Sequence, residues 1–119
     1  MTAAILAIAF GGGIGACLRY GIERAITLRQ RGDIPWALFL VNLMGSAIAG
    51  VVLGGASGVL RTFLLVGVCG ALTTYSGFGA AVRSLWSRNR GAAWITIVGM
   101  TAGCIAVASV SYALVSPAS

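Results

Sequence analysis

Asn42 and the run Gly70-Ala71-Leu72-Thr73-Thr74-Tyr75-Ser76-Gly77-Phe78 are the places where this sequence could do chemistry, because both put polar groups inside long apolar stretches. A carboxamide carries two N–H donors and an acceptor oxygen, and in lipid such a group is costly without a partner. The plainest role for Asn42 is an interhelical hydrogen bond. The second feature reads differently. Gly and Thr are poor helix formers, and a cluster of them centred near residue 72 leaves two structures open, a continuous helix or a broken one. Unwound backbone at mid-membrane must be buried or line a polar cavity, where freed carbonyls could coordinate a cation. Residue type excludes other chemistry. There is no His, and Glu23 and Asp33 are the only acids. His-based triads, carboxylate-pair hydrolysis and most metal sites are out of reach, and no enzymatic activity is expected. Cys17, Cys69 and Cys104 are odd in number and lack CxxC spacing, so they read as small buried hydrophobes.

The elements that position these residues follow from composition. Of 119 residues, 59% are hydrophobic and 8% charged, and the mean hydropathy is +0.99. A soluble domain carries about 25% charged residues, so this is the composition of a membrane protein. The net charge is +6 and all eight basic residues are Arg. They lie between apolar runs, where they act as topology determinants and not as a nucleic-acid surface. Residues 1–18, 34–60, 62–82 and 91–119 carry no charged side chain, and each run can hold a spanning helix of about 20 residues. The first lacks a preceding basic region and is interrupted by glycines, so it is expected to span and not to be a secretory signal. The pattern predicts a single all-α, integral-membrane, four-helix domain with helices over about 3–22, 35–56, 62–83 and 92–115. Pro35 suits the first turn of the second helix. Short turns are expected over 54–58 and 87–91. Gly11 and Gly15, Gly12 and Ala16, Gly50 and Gly54, and Gly99 and Gly103 are small residues four apart, a spacing that lets helices approach closely in lipid.

Three motifs in order resemble the Fluc/CrcB family of small fluoride channels. Gly12-Gly13-Ile14-Gly15-Ala16-Cys17-Leu18-Arg19-Tyr20 is similar to its GGxxGAxxRY signature, and Val41-Asn42-Leu43-Met44-Gly45-Ser46 to its VNxxGS. Cys69-Gly70-Ala71-Leu72-Thr73-Thr74-Tyr75-Ser76-Gly77-Phe78 resembles GGxTTFSTF, read loosely. The resemblance implies an antiparallel dimer with the third helix interrupted at its centre, two narrow pores that export fluoride passively, and a structural sodium ion at the dimer centre. On the matching positions, the backbone carbonyls of Gly70 and Thr73 hold that sodium, and Asn42, Tyr75 and Phe78 line the fluoride path. The Asn42 amide would donate to a partly dehydrated anion. Aromatic ring edges are electropositive and ease an anion along without trapping it, since conduction needs sites weak enough to leave. Thr101, Ser109 and Ser111 offer hydroxyls on the fourth helix, where the family has a polar track, and Thr101 is the chosen pore residue. Arg19 at the end of the first run is expected to be structural.

The sequence departs from the family pattern at four places: Tyr75 for Phe, Gly77 for Thr, Ala37-Leu38 for Gly-Thr, and Ala81 where Glu is frequent. Each alters a pore-lining group, which keeps open a second reading, a non-conducting partner subunit of a heterodimeric fluoride channel. A small multidrug-resistance-type transporter has the same length and span number, but needs an acid inside its first helix. Here Glu23 lies beyond that run.

Charge counting predicts the orientation in the cell inner membrane or plasma membrane. Arg19, Arg24, Arg29, Arg31, Arg83, Arg88 and Arg90 fall in or beside the loops joining helices one to two and three to four, and only Arg61 lies at the other end. The positive-inside rule places the Arg-rich loops in the cytoplasm and both termini outside. Copies with this bias all face one way, so an antiparallel dimer calls for a heterodimer with a related subunit of opposite topology. A homodimer is the alternative.

Overall fold

In the computed structural model, which describes residues 1–117, Arg19 and Glu23 pair at 3.0 Å across one helical turn. That pair carries the first helix past its apolar limit, so it runs Thr2–Thr27 where 3–22 was expected. An i, i+4 Arg–Glu contact supports helix regardless of hydropathy. The second helix is Trp36–Gly55, with Pro35 one residue outside it and not in its first turn. Ala56 and Ser57 alone then connect it to the next, a shorter turn than expected. Gly58 adopts a φ of 65°, which turns the chain directly into the third helix. Arg61 therefore lies inside that helix, three residues from its start. A charge so near the end of a span can extend to the interface.

The third helix is built in pieces. An α turn at Gly58–Arg61 leads into an eight-residue π-helical stretch, Thr62–Cys69, and a further α turn, Gly70–Leu72. Thr73 and Thr74 are extended, with ψ of 158° and 124°, and helix resumes at Tyr75–Arg88. The whole span covers Gly58–Arg88, so the interruption falls at its centre. The fourth helix is Arg90–Val115, capped by the Asn89 side chain, which accepts from the Ala92 N–H at 3.1 Å. The architecture is four long apolar helices with the third broken.

Glycines set the helix crossings. A Cβ at Gly11 would lie 2.5 Å from the Phe63 carbonyl oxygen and 3.0 Å from Gly67 Cα, so the first helix rests backbone to backbone on the π stretch. Gly15 meets the Val68 carbonyl in the same way. Gly50 presses on Ala108 and Ser111, and Gly54 on Tyr112 and Ser116, joining the second helix to the fourth. Gly99 and Gly103 instead receive the Phe39 ring and the Leu43 side chain, and Gly12 has nothing within 4 Å of its Cβ position. At the Arg-rich end, Leu85, Ala92 and Ala93 form a small buried cluster with Ile34 against it. Asp33 there accepts from Asn89 Nδ2 at 3.1 Å and faces Arg88 at 3.7 Å, so the two Arg-rich loops meet.

This packing makes unequal demands on equal-looking glycines. Gly50→Ala places a methyl 2.8 Å from Ser111 Cβ and is expected to lower stability by roughly 1–3 kcal/mol. Gly13→Ala, with open space around it, is expected to be neutral or stabilising by up to about 1 kcal/mol. Thermal unfolding in detergent checks the pair, and equal midpoints would refute the crossing described here.

Candidate functional site

The break leaves backbone groups that must find partners, and Asn42 supplies one. Its Oδ1 accepts from the Thr74 N–H at 2.9 Å. In an unbroken helix that N–H would bond the Gly70 carbonyl. One turn on, the Gly77 N–H would close on the Thr73 carbonyl, but it donates to Thr74 Oγ1 at 3.0 Å as an N-cap bond. The helical partners of both carbonyls are thus diverted to side chains. The carbonyl before them, that of Cys69, accepts twice, from Thr73 N–H at 2.9 Å and Thr73 Oγ1 at 2.8 Å. Thr73 is anchored by its own hydroxyl while its carbonyl loses its helical donor.

The same bond orients the Asn42 amide. A backbone N–H only donates, so the oxygen must face Thr74 and the nitrogen must face the other way. Nδ2 points at Met100 Sδ, 3.3 Å away on the fourth helix. A thioether is a weak acceptor, so this buried amide (7% exposed) holds its N–H groups against a partner that a stronger acceptor can displace. Gly45 makes the approach possible, since a Cβ there would collide with the Thr73 methyl.

These groups open on one cleft of about 470 Å³. Asn42, Gly70, Thr73, Tyr75, Phe78 and Thr101, the residues expected from sequence as pore and sodium ligands, all line it. Tyr75 and Phe78 sit with ring centroids 6.1 Å apart, and Tyr75 is 86% exposed on the single chain. No charged side chain lines the cleft. Ser109 and Ser111 are not in its lining; Ser111 packs on Gly50 instead. Ser46, Cys69, Met100 and Cys104 belong to the lining without having been anticipated. Helical spacing offered a signal for one of them, because Cys104 lies three residues from Thr101 on one face of the fourth helix.

A second cleft of about 520 Å³ lies at the Arg-rich end and is bordered by Arg19, Glu23, Asp33, Ser84 and Arg88. Ala37, Leu38, Gly77 and Ala81, all departures from the family pattern, line it. A Cβ on Gly77 would stand 2.8 Å from Thr74 Cγ2 and 3.3 Å from Leu38 Cδ1. Thr74 is thus the tighter neighbour of position 77, and Leu38 bounds the same space from the second helix.

Four spans, a mid-membrane break stabilised by a side-chain amide, and an uncharged cleft at that break define a multi-pass membrane protein. Residues 6–113 match the family model described as CrcB-like protein, Camphor Resistance (CrcB). The chain belongs to the CrcB family. It is 38% identical over 105 residues to a protein named fluoride-specific ion channel FluC 1 of Streptomyces avermitilis, covering 82% of this chain and 85% of that one. It is 35% identical over 107 residues to fluoride-specific ion channel FluC of Paramagnetospirillum magneticum, covering 82% and 84%. It is 45% identical over 76 residues to FluC 1 of Nocardia farcinica, covering 63% of this chain and just over half, 54%, of that relative.

Proposed function

We propose that the chain is a subunit of a passive, fluoride-selective channel through which a cell sheds fluoride. The observation that carries the reading is the convergence of Asn42, Tyr75, Phe78 and Thr101 on one uncharged cleft at the helix break. The names of the relatives supply the ion. Asn42 Nδ2 exchanges its weak bond to Met100 for one to the anion, the Thr101 hydroxyl donates from the fourth helix, and the edges of Tyr75 and Phe78 carry the positive rim of each ring. A lining without Arg gives sites shallow enough for the ion to leave. Ala37, Leu38 and Ala81 along the second cleft favour one variant of this reading, in which one of the two pores of the assembly is idle. Replacing Phe78 with Ile keeps bulk and removes the ring edge. Fluoride efflux from liposomes should fall by roughly tenfold, the rate equivalent of about 1.4 kcal/mol, with assembly unchanged. Undiminished efflux from an intact assembly would make Phe78 a packing residue.

Sodium is the second element of the proposal. The carbonyls of Gly70 and Thr73 have lost their helical donors to side chains and border the cleft. Neutral hard oxygens from unwound membrane helices suit this ion, and a second subunit would complete the set. When bound, the ion supplies positive charge that ties two broken helices together. Sodium should raise the thermal midpoint of the purified assembly more than equal potassium does. Identical midpoints in the two salts would remove the site.

The third element is the partner. Dual insertion needs balanced loops, whereas seven arginines here fall at one end of the bundle and Arg61 at the other. The Arg-rich loops therefore face the cytoplasm with both termini outside, and the antiparallel partner is a related chain of opposite bias. A reporter active only in the cytoplasm, fused to the C-terminus, should stay silent. A strong signal would overturn this orientation, and full fluoride resistance from this chain expressed alone would favour the homodimer.

A further inference from the structure

The two acids of this protein are both engaged, Glu23 with Arg19 at 3.0 Å and Asp33 with Arg88 at 3.7 Å. Arg29 and Arg31 have no acidic partner among the described residues, and both are exposed. They border a groove of about 500 Å³ whose remaining walls are Ala25, Ile26, Gln30 and Trp36. Ala25 and Ile26 belong to the last turn of the first helix and Trp36 opens the second, so the groove lies where two spans leave the bilayer. The chain has three tryptophans, and all three mark this end. Trp86 and Trp94 meet edge to face at 5.9 Å, and Arg90 lies 5.0 Å over the Trp86 ring. Tryptophan concentrates at the membrane–water boundary, which puts Arg29 and Arg31 at headgroup depth. Gln30 is held out of the exchange, since its Nε2 donates to the Ile34 carbonyl at 2.7 Å. That bond folds the loop back toward the start of the second helix, and the two flanking arginines both line the groove.

We infer that this groove is a binding site for an anionic phospholipid, its phosphate held between Arg29 and Arg31 and its glycerol and upper acyl carbons laid on Ile26 and Trp36. The pairing of charge with apolar wall argues for a lipid over free phosphate, which would use the arginines and leave Trp36 and Ile26 without a role. Guanidinium groups match phosphate oxygens in a fork geometry, and basic residues near an anionic surface are worth roughly five-fold in occupancy each. The inference does not rest on conduction and holds or fails independently of it.

The test uses Trp36 as its own reporter, in the full chain with Trp86→Phe and Trp94→Phe, reconstituted in phosphatidylcholine. Brominated phosphatidylglycerol should quench Trp36 at mole fractions roughly five-fold or more below those needed with brominated phosphatidylcholine. Arg29→Gln with Arg31→Gln should abolish that preference, and Arg61→Gln at the opposite end should leave it intact. Native mass spectrometry of the unmodified chain gives the same comparison without the Trp substitutions: phosphatidylglycerol should survive detergent exchange, and the double Gln variant should lose it. Equal quenching by the two lipids, or a preference that survives the double substitution, overturns the site. Relief of quenching by millimolar inorganic phosphate would assign the arginines to a soluble anion and overturn the lipid assignment.

Discussion

The hydrogen bond from the Thr74 N–H to Asn42 Oδ1, 2.9 Å long, is the interaction on which the rest of the site depends. A backbone donor stranded in hydrocarbon costs several kcal/mol, so a helix cannot break at mid-membrane unless something receives the exposed N–H groups. Here Asn42 takes the Thr74 N–H and Thr74 Oγ1 takes that of Gly77, two of the donors that the break frees. An amide bond of this kind in a membrane protein contributes only about 0.6–2 kcal/mol net, but its removal would return the larger cost of the unsatisfied donor. The same bond does three things at once. It permits the break, it diverts the helical donor of Gly70, and it fixes which end of the Asn42 amide faces the cleft.

That bond requires the second helix and the broken third to touch, and glycine provides the contact. Gly45 sits under Thr73 with no room for a methyl. Below it, Gly11 and Gly67 bring the first helix and the π stretch into backbone contact, which holds the first half of the third helix in place while its second half diverges. In lipid there is little hydrophobic force between helices, so close packing of small residues carries the association. The glycine content of this chain is thus part of the site's construction and not a general looseness. The rarity of π-helix outside functional regions fits its position here, leading straight into the break.

Much of this was legible in the sequence because charge and apolar composition are read one residue at a time. Ten charges divided the chain into four spans, and the Gly/Thr cluster marked where the third could break without deciding that it does. Helix ends were less legible. The first helix continues to Thr27 on the strength of the Arg19–Glu23 pair, a contact that charge-free run lengths cannot register. The third begins at Gly58 because a positive φ there starts it early. The cleft-lining residues came from motif resemblance, and a motif says nothing of Met100, whose role depends on the fourth helix crossing the second at the level of Asn42. The π stretch left no composition signal, since it differs from α only in which carbonyl each N–H selects. The glycine pairs were indistinguishable by spacing, yet Gly11 and Gly50 meet backbone and Gly12 meets nothing. Spacing gives a face, and only the partner decides whether that face is used.

The molecule separates two kinds of electrostatics along its length. At the middle of the bundle all polar work is done by neutral dipoles: an amide, two carbonyls, hydroxyls and ring edges. At one end lie both acids and seven of the eight arginines. The acids are spent on fastening that end, Glu23 extending the first helix and Asp33 joining the two loops through Arg88 and Asn89. With no further acid in the chain, the remaining arginines there can be balanced only by groups outside it, from the membrane, a partner or solution. A neutral interior avoids the desolvation cost of a charge at mid-bilayer and keeps any ion site shallow. A cationic end meanwhile is the kind of charge asymmetry that biases how a membrane protein inserts. An arginine moved into the cleft would carry that desolvation cost to mid-bilayer and reduce the charge asymmetry between the two ends in the same step.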